Sequence, residues 1–196
     1  MSTLFQHNLR QHLDLFERLS SLDADIARAA DAVTASLRGG AKLMVCGNGG
    51  SAADSQHIAS EFTGRFIDDR RPLAALALST DSSALTCIGN DYSFAEIFAR
   101  QVGGLGREGD CLLGISTSGN SANIVRAMEV ARGLGIHCIG LLGRDGGRLR
   151  GLCDVAIVVP SEVTARIQEA HVLIAHTICG AVEQALGLVP SHRETP

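Results

Sequence analysis

Leu43-Met44-Val45-Cys46-Gly47-Asn48-Gly49-Gly50-Ser51-Ala52-Ala53-Asp54 decides the fold: an apolar run without polar alternation, a glycine-rich turn, then a hydroxyl that opens a helical stretch. A short run of this kind reads as a strand buried on both faces. The glycines let the backbone turn tightly and approach a ligand, and Ser51 is placed to cap the next helix with Asp54 three residues on. Runs of the same texture follow at Leu73 to Leu78, Cys111 to Ile115, Cys138 to Leu142 and Val155 to Val159. Helical spacing is predicted for Ser51 to Arg65, Ser121 to Gly133 and Thr164 to Leu186, and for Thr86 to Gly103 with a break at Gly89-Asn90-Asp91. Strands alternating with helices predict a three-layer α/β/α fold around a five-stranded parallel sheet.

Upstream of that run, Phe5, Leu9, Leu13 and Phe16 recur at helical steps, as do Leu22, Ile26, Ala30, Val33 and Leu37. Two amphipathic helices are expected, with Ser20-Ser21 and Asp23 marking the start of the second and Gly39-Gly40 its end. Helices that precede the first strand often cover a partner, so residues 1–40 are expected to serve oligomer packing. Residues 41–189 form the α/β domain, and the stretch 190–196 reads as a frayed tail.

The chain has 196 residues, 45% of them hydrophobic and 19% charged, which suits one folded domain. A net charge of -4 supplies no bulk field for nucleic acid or anionic lipid, so neither is expected as a partner. No run approaches the roughly 18 apolar residues of a membrane span, and the N-terminus lacks the order of a secretion signal; a cytoplasmic location is expected. The six cysteines are spread singly, without a C-x-x-C pair, and read as reduced core thiols.

In an open parallel sheet, ligands collect beyond the carboxyl ends of the strands. Two loops there are distinctive. The first is Gly47 to Ser51, which reads as a ligand-cradling turn, also satisfies a weak dinucleotide fingerprint through Gly47, Gly49 and Ala52, and has the plainer reading of a tight strand-to-helix turn. The second is Ser116-Thr117-Ser118-Gly119-Asn120-Ser121, whose hydroxyls run into a helix N-terminus and suit the phosphate of a small metabolite. The Gly-Lys-Ser/Thr ending of a nucleoside triphosphate loop is absent.

On the helix after the glycine loop, His57 and Glu61 share one face, about 40° apart around the axis. On the last helix, Gln168 and His176 lie about two turns apart, near Arg166, Glu169 and His171. His57, Glu61, Gln168 and His176 form an N/O set acceptable to Zn²⁺. Singly, each has a plainer reading: His57 and Glu61 as a surface pair, His176 as a core histidine. Spacing along two helices does not bring the pairs together.

Cys46 to Asp54, Gln56-His57 to Glu61-Phe62, Gly89-Asn90-Asp91-Tyr92, Ile115 to Asn120 and Ala165-Arg166-Ile167-Gln168-Glu169 together resemble the phosphoheptose isomerases, of the flavodoxin-like sugar-isomerase (SIS) fold. The resemblance runs from about Lys42 to Glu183. It implies conversion of D-sedoheptulose 7-phosphate to D-glycero-D-manno-heptose 7-phosphate, the first step towards the heptose of bacterial surface polysaccharides. It further implies that Asn48, Gly49, Gly50, Ser51, Asn90, Asp91, Ser116, Thr117, Ser118 and Ser121 bind the sugar phosphate, with Glu61 and Gln168 also on the substrate. Glu61 and His176 match the family's acid/base pair. His57, Glu61, Gln168 and His176 match its zinc site, and homotetramers with sites at subunit boundaries are implied. Some members carry Asp where this chain has Ala165. The runner-up is a non-catalytic SIS-domain scaffold of the kind that associates with the replication initiator protein.

Overall fold

The computed structural model describes residues 3–190, so all of the expected tail except Pro190 lies outside the described residues. The elements, in chain order, are α1 (Leu4–Phe16), α2 (Asp23–Arg38), β1 (Leu43–Gly47), α3 (Gly50–Thr63), β2 (Ala75–Ala77), α4 (Ser82–Asp91), α5 (Ala99–Leu105), β3 (Cys111–Ser116), α6 (Ala122–Gly133), β4 (His137–Gly143), β5 (Val155–Val159) and α7 (Thr164–Ala185). The strands form one parallel sheet in the order β2-β1-β3-β4-β5. This doubly wound order places a topological switch point between β1 and β3, whose registers pair Gly47 with Ile115.

Successive strand residues serve opposite faces. Leu43 and Val45, Leu113 and Ile115, and Val155 and Ile157 share one core with Val33 of α2, Ile58 and Phe62 of α3, and Ile174 and Ile178 of α7. Met44, Cys46, Leu112 and Cys138 share the other with Val102 of α5 and Ile124 and Met128 of α6. Burial on both sides explains the missing polar alternation. α2 therefore packs within its own chain, whereas α1 buries only Leu15 and exposes Leu4, Phe5, Leu9 and Leu13.

Several local expectations shift. The run at Leu73 to Leu78 shortens to Ala75–Ala77, although Leu43 N still donates to Ala74 O and Leu78 N to Val45 O. Gly89, Asn90 and Asp91 do not break the helix: they complete α4, and the break falls at Tyr92 and Ser93, where Ser93 is extended. Ser20 and Ser21 donate backwards to Glu17 O and Arg18 O within a 3₁₀ turn, so neither caps α2. The cysteines are free, and burial pushes the Cys138, Cys153 and Cys179 thiols up to about 12, but Cys87 on α4 is exposed and is not a core thiol.

His171 is 1% exposed on α7, with Nε2 3.0 Å from Leu142 O. Burial pushes its pKa down to about 4. Between that value and the ordinary one near 6.5, the unfolded chain binds a proton that the folded chain refuses, so stability falls as pH drops through this window, by up to about 1.4 kcal/mol per unit. Urea midpoints measured across the window should show a shallower pH dependence for His171→Leu than for the wild type; equal slopes would remove His171 from the acid response.

Candidate active site

The loops after β1 and β3 meet across the switch point through a reciprocal amide pair. Asn48 Nδ2 donates to Asn123 Oδ1 at 2.9 Å, and Asn123 Nδ2 donates to Asn48 Oδ1 at 2.8 Å. Asn123 is buried at the second position of α6, and its Oδ1 also accepts from Ile124 N at 3.0 Å. Gly49 caps α3 with φ 58°, a left-handed value that glycine adopts freely. Ser51 is therefore not the cap: it is buried one residue inside the helix, and its carbonyl accepts from Ser55 Oγ. A Cβ at residue 50 would run into the Gln168 amide, so Gly50 is what lets α7 approach the start of α3.

In the second loop, the buried Ser116 hydroxyl lies 2.9 Å from Ser121 Oγ and 3.5 Å from Ser118 Oγ. Ser118 Oγ accepts from Asn120 N at 3.2 Å, and Thr117 is half-buried beside it. Gly119, at φ +67°, sits against Gly146 O with no room for a side chain. Ser121 precedes α6 without a side-chain capping bond, so its hydroxyl joins the Ser116 cluster instead. Hydroxyl donors at the N-terminal end of a helix favour an anion by about 0.3–1 kcal/mol through the dipole alone.

Asn90 and Asp91 are exposed at the end of α4, and Asn90 Nδ2 donates to Asp91 Oδ1 at 2.8 Å. That bond, with one from Cys87, holds the Asp91 carboxyl below the usual carboxylate range. Their side-chain bonds run to one another and to Cys87.

His57, Glu61 and His176 do converge. His57 Nε2 lies 3.0 Å from Glu61 Oε1 and 3.3 Å from His176 Nε2, joining α3 to α7 across 119 residues of sequence. The two imidazoles meet edge to face, and the Phe66 ring lies 5.2 Å from His176. One ligand atom from each of the three falls within 4.8 Å of the others. Ligands at the Zn–N distance of about 2.0–2.1 Å around a tetrahedral ion stand about 3.3 Å apart, so these separations fit a divalent metal. Gln168, two turns earlier on α7, has its amide against Gly50. Arg166 and Glu169 turn instead to α1: Arg166 Nη1 donates to Asn8 O at 2.7 Å, Arg166 pairs with Glu169, and Glu169 Oε2 lies 2.8 Å from His12 Nδ1.

Sequence reasoning missed Asn123, Asp54 and Phe66. Asp54 Oδ2 is buried without a partner one turn before His57, and burial raises its pKa while His57 opposes the rise. The i, i+3 spacing of Asp54 and His57 was a visible signal. Nothing local marks Asn123 or Phe66, whose partners lie far away in sequence.

The SIS domain family matches residues 7–143. The chain is similar to the phosphoheptose isomerase of Helicobacter hepaticus, 49% identical over 187 residues that cover 95% of both chains. Among solved structures, the phosphoheptose isomerase from Francisella tularensis superposes with a TM-score of 0.89 at 40% identity, covering 94% of this chain and 100% of that one. The enzyme from Neisseria gonorrhoeae superposes at 0.86 with 44% identity, over 91% and 96% respectively. These relatives support an isomerase and not the scaffold.

Replacing Asn123 by alanine should leave the Asn48 amide without its buried partner and cost about 1–3 kcal/mol. Denaturant midpoints check this; an unchanged midpoint would show that the amide pair does not tie the two loops.

Proposed function

The chain belongs to the phosphoheptose isomerases, a family of SIS-domain proteins, and on that premise we propose that it converts D-sedoheptulose 7-phosphate to D-glycero-D-manno-heptose 7-phosphate. The observation that carries this reading is the meeting of His57, Glu61 and His176 from two helices distant in sequence. Ketose-to-aldose conversion removes a proton from C1, returns one to C2 through an enediol, and shifts a hydroxyl proton from O1 to O2. Glu61 and His176 are the acid/base pair for these transfers, work that contributes roughly 10²–10⁴-fold. His57, 3.0 Å from Glu61, orients the carboxylate.

Ser116, Thr117, Ser118 and Ser121 bind the phosphate with the N-terminus of α6. Asn48, Gly49, Gly50 and Ser51 hold the sugar from the other side of the switch point. Asn90 and Asp91 contact substrate from α4, and Gln168 does so from α7. Zn²⁺ held by His57, Glu61, Gln168 and His176 would supply Lewis-acid stabilisation of charge on the substrate oxygens. Because Glu61 and His176 are also the proton carriers, acid/base use ranks above metal dependence. An apolar groove lined by Phe66, Ile67, Leu173 and Ala181 borders His176, and α1 presents its own apolar side chains. Both surfaces suit a homotetramer with sites at subunit boundaries. Among the described residues no helix is long and apolar enough to cross a membrane, and the enzyme would act in the cytoplasm on the path to surface polysaccharide.

Glu61→Gln and His176→Gln should each fold normally and lose turnover on the ketoheptose phosphate by at least about 100-fold. A cofactor-free isomerase assay with circular dichroism checks this, and near-full rate in either variant overturns the assignment. Metal analysis should find zinc in the wild type and less of it in both variants.

A further inference from the structure

One buried ion pair outside the proposed catalytic set holds the far end of α3. Arg70 and Glu183 have side chains only 1% and 2% exposed, and Arg70 Nε donates to Glu183 Oε1 at 2.7 Å. The rest of the guanidinium is spent on backbone. Nη2 donates to Glu61 O at 2.6 Å, while Nη1 lies 2.8 Å from Phe62 O, 2.8 Å from Gly64 O and 3.0 Å from Arg71 O. The terminal carbonyls of a helix lack partners within it and carry partial negative charge, so a buried guanidinium there both completes their hydrogen bonding and complements the dipole.

The pair also reaches His176. Glu183 belongs to α7, two turns beyond His176, and Glu183 Oε1 accepts from Phe66 N at 3.3 Å. Phe66 in turn lies against the His176 ring. One guanidinium and one carboxylate thus touch the backbone of Glu61, the backbone of the residue that contacts His176, and the helix that bears His176.

We infer that Arg70 and Glu183 are positioning residues for the isomerisation, fixing the separation of Glu61 and His176 without touching substrate. The inference rests on the acid/base reading above. Lysine is the informative replacement, because Arg70→Lys keeps a cation beside Glu183 but lacks the fork that spans several carbonyls at once.

Arg70→Lys is therefore compared with the wild type for folding, steady-state kinetics, inhibition by inorganic phosphate, and the ring-proton shifts of His176. The expected result is a folded protein whose kcat falls at least tenfold and whose KM and phosphate inhibition constant stay within about threefold, with the His176 ring signals moved. Unchanged kcat and unchanged His176 signals in a folded variant would overturn the inference. So would equal losses in kcat and phosphate affinity, which mark general loosening. A wild type without isomerase activity would sink the acid/base reading instead, and the His176 signals would still report whether Arg70 sets that ring.

Discussion

α3 and α7 lie side by side on one face of a parallel sheet and point the same way, and the candidate chemistry depends on that arrangement. Each helix follows a parallel strand, so each begins at the carboxyl edge of the sheet and runs back across it. The spacing between them is set at one end by Gly50, which leaves room for Gln168, and further along by Ile58 and Phe62 packing with Ala175 and Ile178. Losing a buried ring such as that of Phe62 costs about 3–5 kcal/mol. His57 and Glu61 on one helix then face His176 on the other.

The β1 and β3 loops divide a different task. The chain order 2-1-3-4-5 opens a crevice where the connections leave for opposite faces, α3 to one and α6 to the other. The Asn48–Asn123 pair ties these diverging segments together by two hydrogen bonds instead of apolar packing. An anion at the start of α6 would therefore be held by a loop whose geometry is coupled to the glycine turn at the start of α3.

The layers were legible because strands buried on both sides leave a simple signature, and each of the five predicted runs contains or overlaps a strand. Misreadings arose where local propensity lost to context. Gly89 reads as a breaker, yet glycine costs only about 1 kcal/mol inside a helix, and α4 continues through it to Asp91. Ser51 reads as a cap, yet the left-handed Gly49 starts the helix sooner. The site was half legible: His57 with Glu61 and the hydroxyl loop are local patterns, while the approach of His176 is not. Arg70 and Glu183, separated by 113 residues, carry no local signal of their pairing.

The matched contacts along α3 and α7, Gly50 with Gln168 and His57 with His176, act as a ruler cut into two segments of chain. Adding or deleting a single residue between Gly50 and Glu61, or between Gln168 and His176, would swing every later side chain by about 100° and slide it about 1.5 Å. Length variation that preserves the enzyme must then fall elsewhere, as in the connections beyond β4 and β5. Homologues that differ in size should keep those two intervals constant to the residue.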